Sequence, residues 1–306
     1  MPHTGSSHIK AYLSLHFIIF IWGFTAVLGA LIHLDYLSLT WYRMGLASLI
    51  LLSYMGGSPK ERNLLKYWSW RNQLRYLTGG IIIALHWLAF FYAIKVSNVS
   101  ITLVTLSSGA FFTSLLEPLF FKRKIFIHEI LLGISILAGF FILLKIEKVD
   151  FTGVYFALAA AFLSGLFSVI NGIFVQNQSG VQLSFFQLLY GFLFLSLVLF
   201  FMRDLKQIQT PGINDWIYLF ILASICTAYA FTRSITLMKY LSPYTVMLSI
   251  NLEPVYGIVL AVLLLGDNEK MTRNFYLGSF IILIIIVLNT IVKHKKEKNT
   301  DKLLNS

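Results

Sequence analysis

Ionisable side chains inside long apolar stretches are the first residues of this sequence that could do chemistry. Glu253 stands in the segment SINLEPVYG (249–257), in the middle of an apolar run, and Arg43 and His86 lie within two other runs. A charge at the centre of a bilayer costs roughly 3 kcal/mol on insertion scales, so such residues face a bundle interior or a wet cavity and find a partner there. We therefore expect Glu253, Arg43 and His86 to bind a charged solute or carry protons. A packed, neutral histidine is the alternative for His86.

Polar and aromatic side chains elsewhere in the apolar runs extend this candidate pathway. Helical spacing places Ser249 and Tyr256 on the face of Glu253. Pro254 removes a backbone donor and kinks the helix, which leaves nearby carbonyls free to face a cavity. Further candidates lie on other runs: Trp22, Asn171, Gln187, Tyr190 and Tyr229. For Asn171 and Gln187 the alternative is that they bridge two helices.

The composition places these residues in membrane-spanning elements. The chain has 306 residues, 58% of them hydrophobic, and a mean hydropathy of +0.77, whereas soluble domains are about 45–50% apolar. A bilayer span needs roughly 20 mostly apolar residues. The sequence offers ten such runs: Leu13–Leu31, Leu37–Tyr54, Leu74–Ile94, Val99–Phe121, Ile127–Leu144, Thr152–Val175, Ser184–Met202, Trp216–Leu237, Pro243–Leu265 and Phe275–Val292. We therefore predict an all-α integral membrane protein with ten transmembrane helices.

The distribution of charge predicts the orientation of these spans. The formal net charge is +11. When both termini are placed in the cytoplasm, the cytoplasmic segments carry the whole excess of Lys and Arg, and the charges of the outside segments cancel. This asymmetry is the positive-inside pattern of membrane proteins. It favours a topology determinant as the interpretation of the basic cytoplasmic tail 293–306, and it predicts no nucleic-acid partner.

The ten runs fall into two similar halves. Gly45 matches Gly191 and Gly133 matches Gly278, in similar apolar surroundings and at nearly the same offset. Because five is an odd number, the second half must enter the membrane from the opposite side. The halves are then inverted repeats, which are common among secondary transporters. The predicted units are residues 1–147, residues 148–292 and the tail.

Two Glu-Pro pairs do not follow this repeat. Glu117-Pro118 and Glu253-Pro254 are 136 residues apart, which is off the register of the two halves. Glu117 also stands near the predicted cytoplasmic end of its span, close to Lys122. We therefore expect Glu117 to be an interfacial charge and not the counterpart of Glu253.

The motifs of hydrolytic and nucleotide-binding enzymes are absent from the sequence. It contains no HExxH, no GxSxG, no GxxxxGK[ST] and no paired cysteines. We therefore predict that the protein is not an enzyme and that it uses neither a cofactor nor a metal. Two alternatives stay open, a flippase for a lipid or polyprenyl carrier and an intramembrane enzyme that uses Glu253 and His86 as an acid/base pair.

The whole pattern resembles the EamA-type permeases of the drug/metabolite transporter superfamily. The resemblance extends over essentially the whole chain and is carried by TWYRMGLASLILL in the second span and by SINLEPVYGIVLAVLLLGDNEKMTRNFYLGSFIILIIIVL at the end. Pro254 matches the central proline of the family's ninth span, and Arg43 matches its second-span arginine. Leu265-Gly266 with Glu269 is similar to the family's LGE-like end, and Gly278 to the glycine that opens the tenth span.

The first half departs from the family pattern. Lys122-Arg123-Lys124 stands where the family usually has an acidic residue, and the corresponding proline is replaced around Gly109-Ala110. A symmetric role for the two halves is therefore not expected from the resemblance.

The resemblance implies a function and a place in the cell. It implies export of amino acids or related small metabolites, commonly with proton exchange. We expect a multi-pass secondary transporter of the inner cell membrane, which works by alternating access and whose partners are a small-molecule substrate and the lipid bilayer. Glu253 would hold a substrate ammonium group or exchange a proton, and Arg43 would balance it or hold a carboxylate.

Overall fold

A computed structural model describes residues 5–63, 68–122, 151–201 and 208–281, with positions 127, 130, 131, 133–135, 138, 139 and 284. No strand occurs among these residues. The α-helices are α1 Gly5–Leu31, α2 Tyr36–Gly57, α3 Trp70–Val96, α4 Val99–Leu106, α5 Gly109–Phe121, α6 Phe151–Phe174, α7 Gly180–Phe201, α8 Ile213–Ile221, α9 Ala230–Leu237, α10 Pro243–Ile250 and α11 Glu253–Leu265. A π-helical segment, Leu222–Tyr229, joins α8 to α9. Residues 273–281 are helical as well.

Seven helices of the described residues are long and apolar enough to cross a membrane: Ile9–Leu31, Trp70–Val96, Val99–Phe121, Phe151–Asn177, Gly180–Phe201, Ile213–Leu237 and Pro243–Leu265. Each coincides with one of the ten predicted runs. The second run forms α2, a helix of 22 residues, but Arg43 and four Ser and Thr residues make it more polar than those seven. The predicted spans 127–144 and 275–292 lie largely outside the described residues, as do the predicted boundary at 147 and the tail. The described part of the chain is all-α and has the helices of a multi-pass membrane protein.

Two of the spans are interrupted in the same way. The span 99–121 breaks at Ser107 and Ser108 into α4 and α5, which have 8 and 13 residues. The span 243–265 breaks at Asn251 and Leu252 into α10 and α11, which also have 8 and 13 residues. A proline follows directly only after the second break, where Pro254 lies in the first turn of α11; Pro118 lies within α5, far from its start. A proline is tolerated in the first turn because the N–H groups there have no partner within the helix.

The core lies between helices of the two halves. In the described residues α3 packs against α6 and α7, α2 against α7, and α1 against α11. The approach of α3 to α7 depends on glycine, since a Cβ on Gly80 would stand 2.5 Å from the Gln187 carbonyl oxygen and 2.8 Å from the Gly191 nitrogen. Small residues of this kind let membrane helices pack backbone to backbone.

Glu117 is a buried helix cap and not the interfacial charge that the sequence analysis predicted. Its side chain is buried, and Oε2 accepts a hydrogen bond of 2.7 Å from the backbone N–H of Tyr244 at the start of α10. The carboxylate thus satisfies one of the free N–H groups at a helix N-terminus, where a negative charge is also favoured by the helix dipole. The sequence could not indicate this, because Tyr244 is 127 residues away.

Candidate functional site

A small internal cavity collects several of the residues that the sequence analysis selected. Its volume is about 80 Å³, which is room for a few water molecules, since one needs about 10–15 Å³. The polar side chains on its wall are Trp22, Thr25, Arg43, His86, Ser164, Ser168, Ser234 and Glu253. Drug-sized ligands occupy pockets of about 300–1,000 Å³. A solute of more than a few atoms therefore requires the cavity to widen.

Arg43 is held at this cavity by groups on two other helices. Its Nε donates a hydrogen bond of 2.7 Å to Thr227 Oγ1, and its Cζ lies 3.8 Å from the centroid of the Trp87 ring. Trp87 provides a cation–π contact, which is strongest for Trp. The side chain is only 1% exposed, and its Nη1 has no hydrogen-bond partner among the described residues. One arm of the guanidinium fork therefore stays available to an anion.

Thr227 reaches Arg43 from the π-helical segment. Its Oγ1 donates to the carbonyl oxygen of Leu222, five residues earlier, at 2.7 Å, and accepts from Arg43 Nε. The Cys226 carbonyl of the same segment accepts a hydrogen bond of 3.2 Å from Trp22 Nε1. π-helical turns are rare and occur frequently at functional sites. Here the segment positions two side chains of the cavity wall, Arg43 and Trp22.

Glu253 reaches the cavity through the break between α10 and α11. It is the first residue of α11, is 5% exposed and lines the cavity. None of the described residues gives it a hydrogen bond or an ion pair within 4.0 Å. Its position in the first turn lets the helix dipole stabilise a negative charge. The cavity thus holds a carboxylate and a guanidinium that are not paired with each other.

His86 is oriented by a backbone carbonyl. Its Nδ1 lies 2.8 Å from the carbonyl oxygen of Ala160 on α6. A carbonyl oxygen only accepts, so Nδ1 must carry the proton, and in the neutral ring Nε2 is then an acceptor. The ring is stacked on Phe90 with centroids 6.0 Å apart. His86 therefore borders the cavity as an oriented side chain.

Three further candidates lie away from the cavity. Ser249 Oγ donates to the Thr245 carbonyl at 2.9 Å, within its own helix. Tyr256 packs edge-on against Phe20. Since the break at Asn251 and Leu252 separates Ser249 on α10 from Glu253 and Tyr256 on α11, Ser249 does not lie on one continuous helix with them. Tyr229 is 49% exposed and lines a different groove, between α2, α7 and α9.

Asn171, Gln187 and Tyr190 are engaged in contacts between helices. Gln187 Nε2 donates to Asn171 Oδ1 at 2.8 Å, which joins α7 to α6. Tyr190 OH donates to Gln73 Oε1 on α3. These bonds correspond to the bridging alternative for Asn171 and Gln187, and none of the three lines the cavity.

Two residues that hold Arg43 at the cavity were not selected from the sequence. Trp87 and Thr227 are ordinary members of apolar spans, and their importance depends on Arg43, which lies in a helix far from them in sequence. The bond from Thr227 to the Leu222 carbonyl, five residues earlier, belongs to a π-helix. The 3.6-residue pattern by which α-helices are predicted from a sequence does not indicate it. As for metals, the described residues contain no group of three His, Cys, Asp or Glu side chains that could hold an ion.

Comparisons with known proteins agree with this architecture. The model of the EamA-like transporter family matches residues 9–145 and again residues 151–291. A solved crystal structure of a protein is similar in fold, with a TM-score of 0.68 at 15% identity over 95% of this chain and 99% of that chain. No curated protein matches the sequence. Since the two family matches together extend over most of the sequence, the chain belongs to the EamA-like transporter family and is a membrane transporter of the drug/metabolite transporter superfamily.

Proposed function

We propose that the protein exports a small solute that carries both an ammonium and a carboxylate group, such as an amino acid or a related metabolite. The observation that carries the proposal is the presence of Arg43 and Glu253 on the wall of one buried cavity without an ion pair between them. Buried charges in membrane spans need partners. A zwitterion would supply one to each residue.

The geometry of Arg43 favours a carboxylate as one end of the solute. Thr227 occupies Nε and Trp87 covers the face of the guanidinium, while Nη1 is free of protein partners among the described residues. Charge-assisted hydrogen bonds between a guanidinium and a carboxylate are about twice as strong as neutral ones. Glu253 would bind the ammonium group or, in the empty carrier, take up a proton.

Proton exchange at Glu253 gives a route to coupling. The carboxylate binds a proton when the cavity faces one side of the membrane and a substrate ammonium when it faces the other. Transport of the solute is then linked to transport of protons in the opposite direction. Such a carrier draws on the proton gradient without any soluble domain to hydrolyse ATP. His86, whose Nδ1 is held by Ala160 O, is a second group beside the cavity that could pass protons.

We further propose ten spans in two inverted halves, with both termini in the cytoplasm of a cell with an inner membrane. The positive-inside charge pattern supports this. The equal lengths of α4 with α10 and of α5 with α11 also support it. Discontinuous helices are where transporters of this architecture bind their substrates. The two breaks are then the points at which the halves flex during alternating access.

Uptake by inverted membrane vesicles tests the proposal. Vesicles with and without the protein are offered a labelled panel of amino acids and small metabolites, with and without an imposed pH gradient. Accumulation that requires the protein and increases with the gradient is the expected result. If amino acids are ignored and an uncharged solute or a lipid is moved instead, the zwitterion proposal fails. Conversion of a solute by purified protein in detergent would indicate an enzyme.

A further inference from the structure

A second, larger groove lies on the opposite face of α9 from the cavity. Phe231, Ser234 and Met238 face the cavity, whereas Thr232, Arg233 and Thr236 line the groove, which continues to Lys239. The groove has a volume of about 710 Å³ and lies between α9, the end of α2 and the start of α7. It is therefore a separate space, with α9 as the wall between the two.

The groove carries an excess of positive charge. Lys60, Arg233 and Lys239 line it, against one carboxylate, Glu61. That carboxylate accepts a hydrogen bond from Ser179 Oγ at its Oε2, which leaves its negative charge in place, so three basic groups stand against one acidic group. Nζ of Lys239 donates a hydrogen bond of 2.8 Å to the carbonyl oxygen of Gln178 at the groove. Burial and the positive charge of Lys60 lower the pKa of Lys239, and the Glu61 carboxylate raises it. Lys60 and Lys239 therefore repel each other. An anion between them would relieve this repulsion.

Two buried polar atoms of the groove wall are candidates for contact with a ligand. Thr232 Oγ1 and Gln178 Oε1 are buried and form no hydrogen bond among the described residues. Buried polar atoms normally have a partner. The Thr232 hydroxyl could donate a hydrogen bond to an oxygen atom of a ligand.

The rest of the groove is apolar and aromatic. Ile50, Leu51 and Val181 line it, together with Tyr54 and Tyr229, which are 58% and 49% exposed. Exposed tyrosines of this kind are typical of the boundary between lipid tails and headgroups. The groove thus combines a cationic end with an apolar, aromatic surface.

We propose that this groove binds an anionic phospholipid, whose phosphate lies between Lys60, Lys239 and Arg233 and whose acyl chain runs along Tyr54 and Tyr229. Basic pockets between transmembrane helices on the cytoplasmic side are known to bind anionic headgroups, and in the topology proposed above this end of the groove is cytoplasmic. The bound lipid would brace α9, the helix that also forms a wall of the cavity.

Thermal unfolding of the purified full chain in detergent tests this site. The protein is titrated with phosphatidylglycerol, with phosphatidylcholine of the same acyl chains, and with glycerol 3-phosphate. The expected result is a rise in Tm with phosphatidylglycerol alone. An equal rise with phosphatidylcholine would overturn the role of charge, and an equal rise with glycerol 3-phosphate would overturn the lipid in favour of a free phosphate ester.

Variants locate the effect. Lys60→Gln and Lys239→Gln should each weaken the binding of phosphatidylglycerol roughly fivefold, and the double variant roughly 25-fold, since each basic group near an anionic headgroup contributes about that much. Arg71→Gln, an exposed residue at the start of α3 that does not line the groove, is the matched control and should bind as the wild type does. Equal losses in the control would show nonspecific attraction and overturn the site.

A measurement on the wild-type chain keeps the proposal testable if the variants do not fold. A phosphatidylglycerol with a photoactivatable group near the headgroup end of its acyl chain is incorporated into nanodiscs and crosslinked. Labelled peptides should contain Tyr54 or Tyr229. Labelling confined to other helices would overturn the proposal.

Discussion

The Glu117 carboxylate accepts a hydrogen bond of 2.7 Å from the backbone N–H of Tyr244, and so a side chain of the first half closes the N-terminus of a helix in the second half. The reverse arrangement occurs as well. Glu269 accepts from the N–H groups of Val99 and Ser100, at 3.0 and 3.2 Å. The helices capped in this way, α10 and α4, are the two that break after eight residues. Each broken span is thus fastened at its start by the opposite half.

Loss of the Glu117 cap should destabilise the fold. Glu117→Met removes the acceptor and should lower the free energy of unfolding by about 2 kcal/mol, the range of a hydrogen bond to a charged group. Glu117→Gln keeps a carbonyl oxygen that can accept from the Tyr244 N–H, so the free energy of unfolding should fall by about half as much as in Glu117→Met. Denaturant unfolding in detergent measures both. Equal stability of the Met variant and the wild type would contradict the cap.

The contact between α3 and α7 gives a second prediction. Gly80→Leu forces a side chain into the backbone of Gln187 and Gly191, and because neither backbone can move aside cheaply, the cost should exceed about 3 kcal/mol, the upper range for overpacking. Gly56→Leu is the matched control, since a Cβ at Gly56 meets nothing within 4 Å. Size-exclusion profiles of detergent extracts should show a peak of folded protein for Gly56→Leu. For Gly80→Leu this peak should be much smaller. Similar profiles for the two variants would contradict the close packing.

The sequence predicts the membrane spans better than their interruptions. The apolar run 243–265 and its proline indicate a span with a break, but the break lies at Asn251 and Leu252, and α11 begins at Glu253. The run 99–121 breaks at Ser107 and Ser108 without a proline nearby. Serines in a helix can bond to their own backbone, as Ser107 Oγ does to the Leu103 carbonyl, so composition does not reveal that break.

The charged residues of the candidate site were predictable from the sequence, but the residues that hold them in place were not. Arg43, His86 and Glu253 stand out because ionisable groups are costly in a bilayer, and all three line one cavity. Thr227 and Trp87 do not stand out, because a threonine and a tryptophan in a span have many other uses. Only the tertiary structure brings them to the guanidinium of Arg43.

The bond from Arg43 to Thr227 predicts a specific loss of transport. Thr227→Val has nearly the same shape but lacks the oxygen that accepts from Arg43 Nε. A hydrogen bond to a charged group contributes about 1.5–3 kcal/mol, so kcat/KM for the transported solute should fall roughly 10- to 100-fold. Thr227→Ser keeps the oxygen and should stay within a few fold of the wild type. Vesicle uptake measures both, and equal activity of the Val and Ser variants would show that Thr227 does not position Arg43.

Glu253 is the residue on which proton coupling depends. Glu253→Gln keeps the shape of the side chain and removes a buried charge that has no ion-pair partner among the described residues, so the variant should insert and unfold at a Tm no lower than that of the wild type. The Gln variant should no longer accumulate solute in response to a pH gradient, because an amide neither takes up nor releases a proton near neutral pH. Glu253→Asp keeps a titratable group and should retain a response to the gradient. If Glu253→Gln accumulates solute normally in response to pH, Glu253 is not the coupling group, and His86 becomes the residue to test.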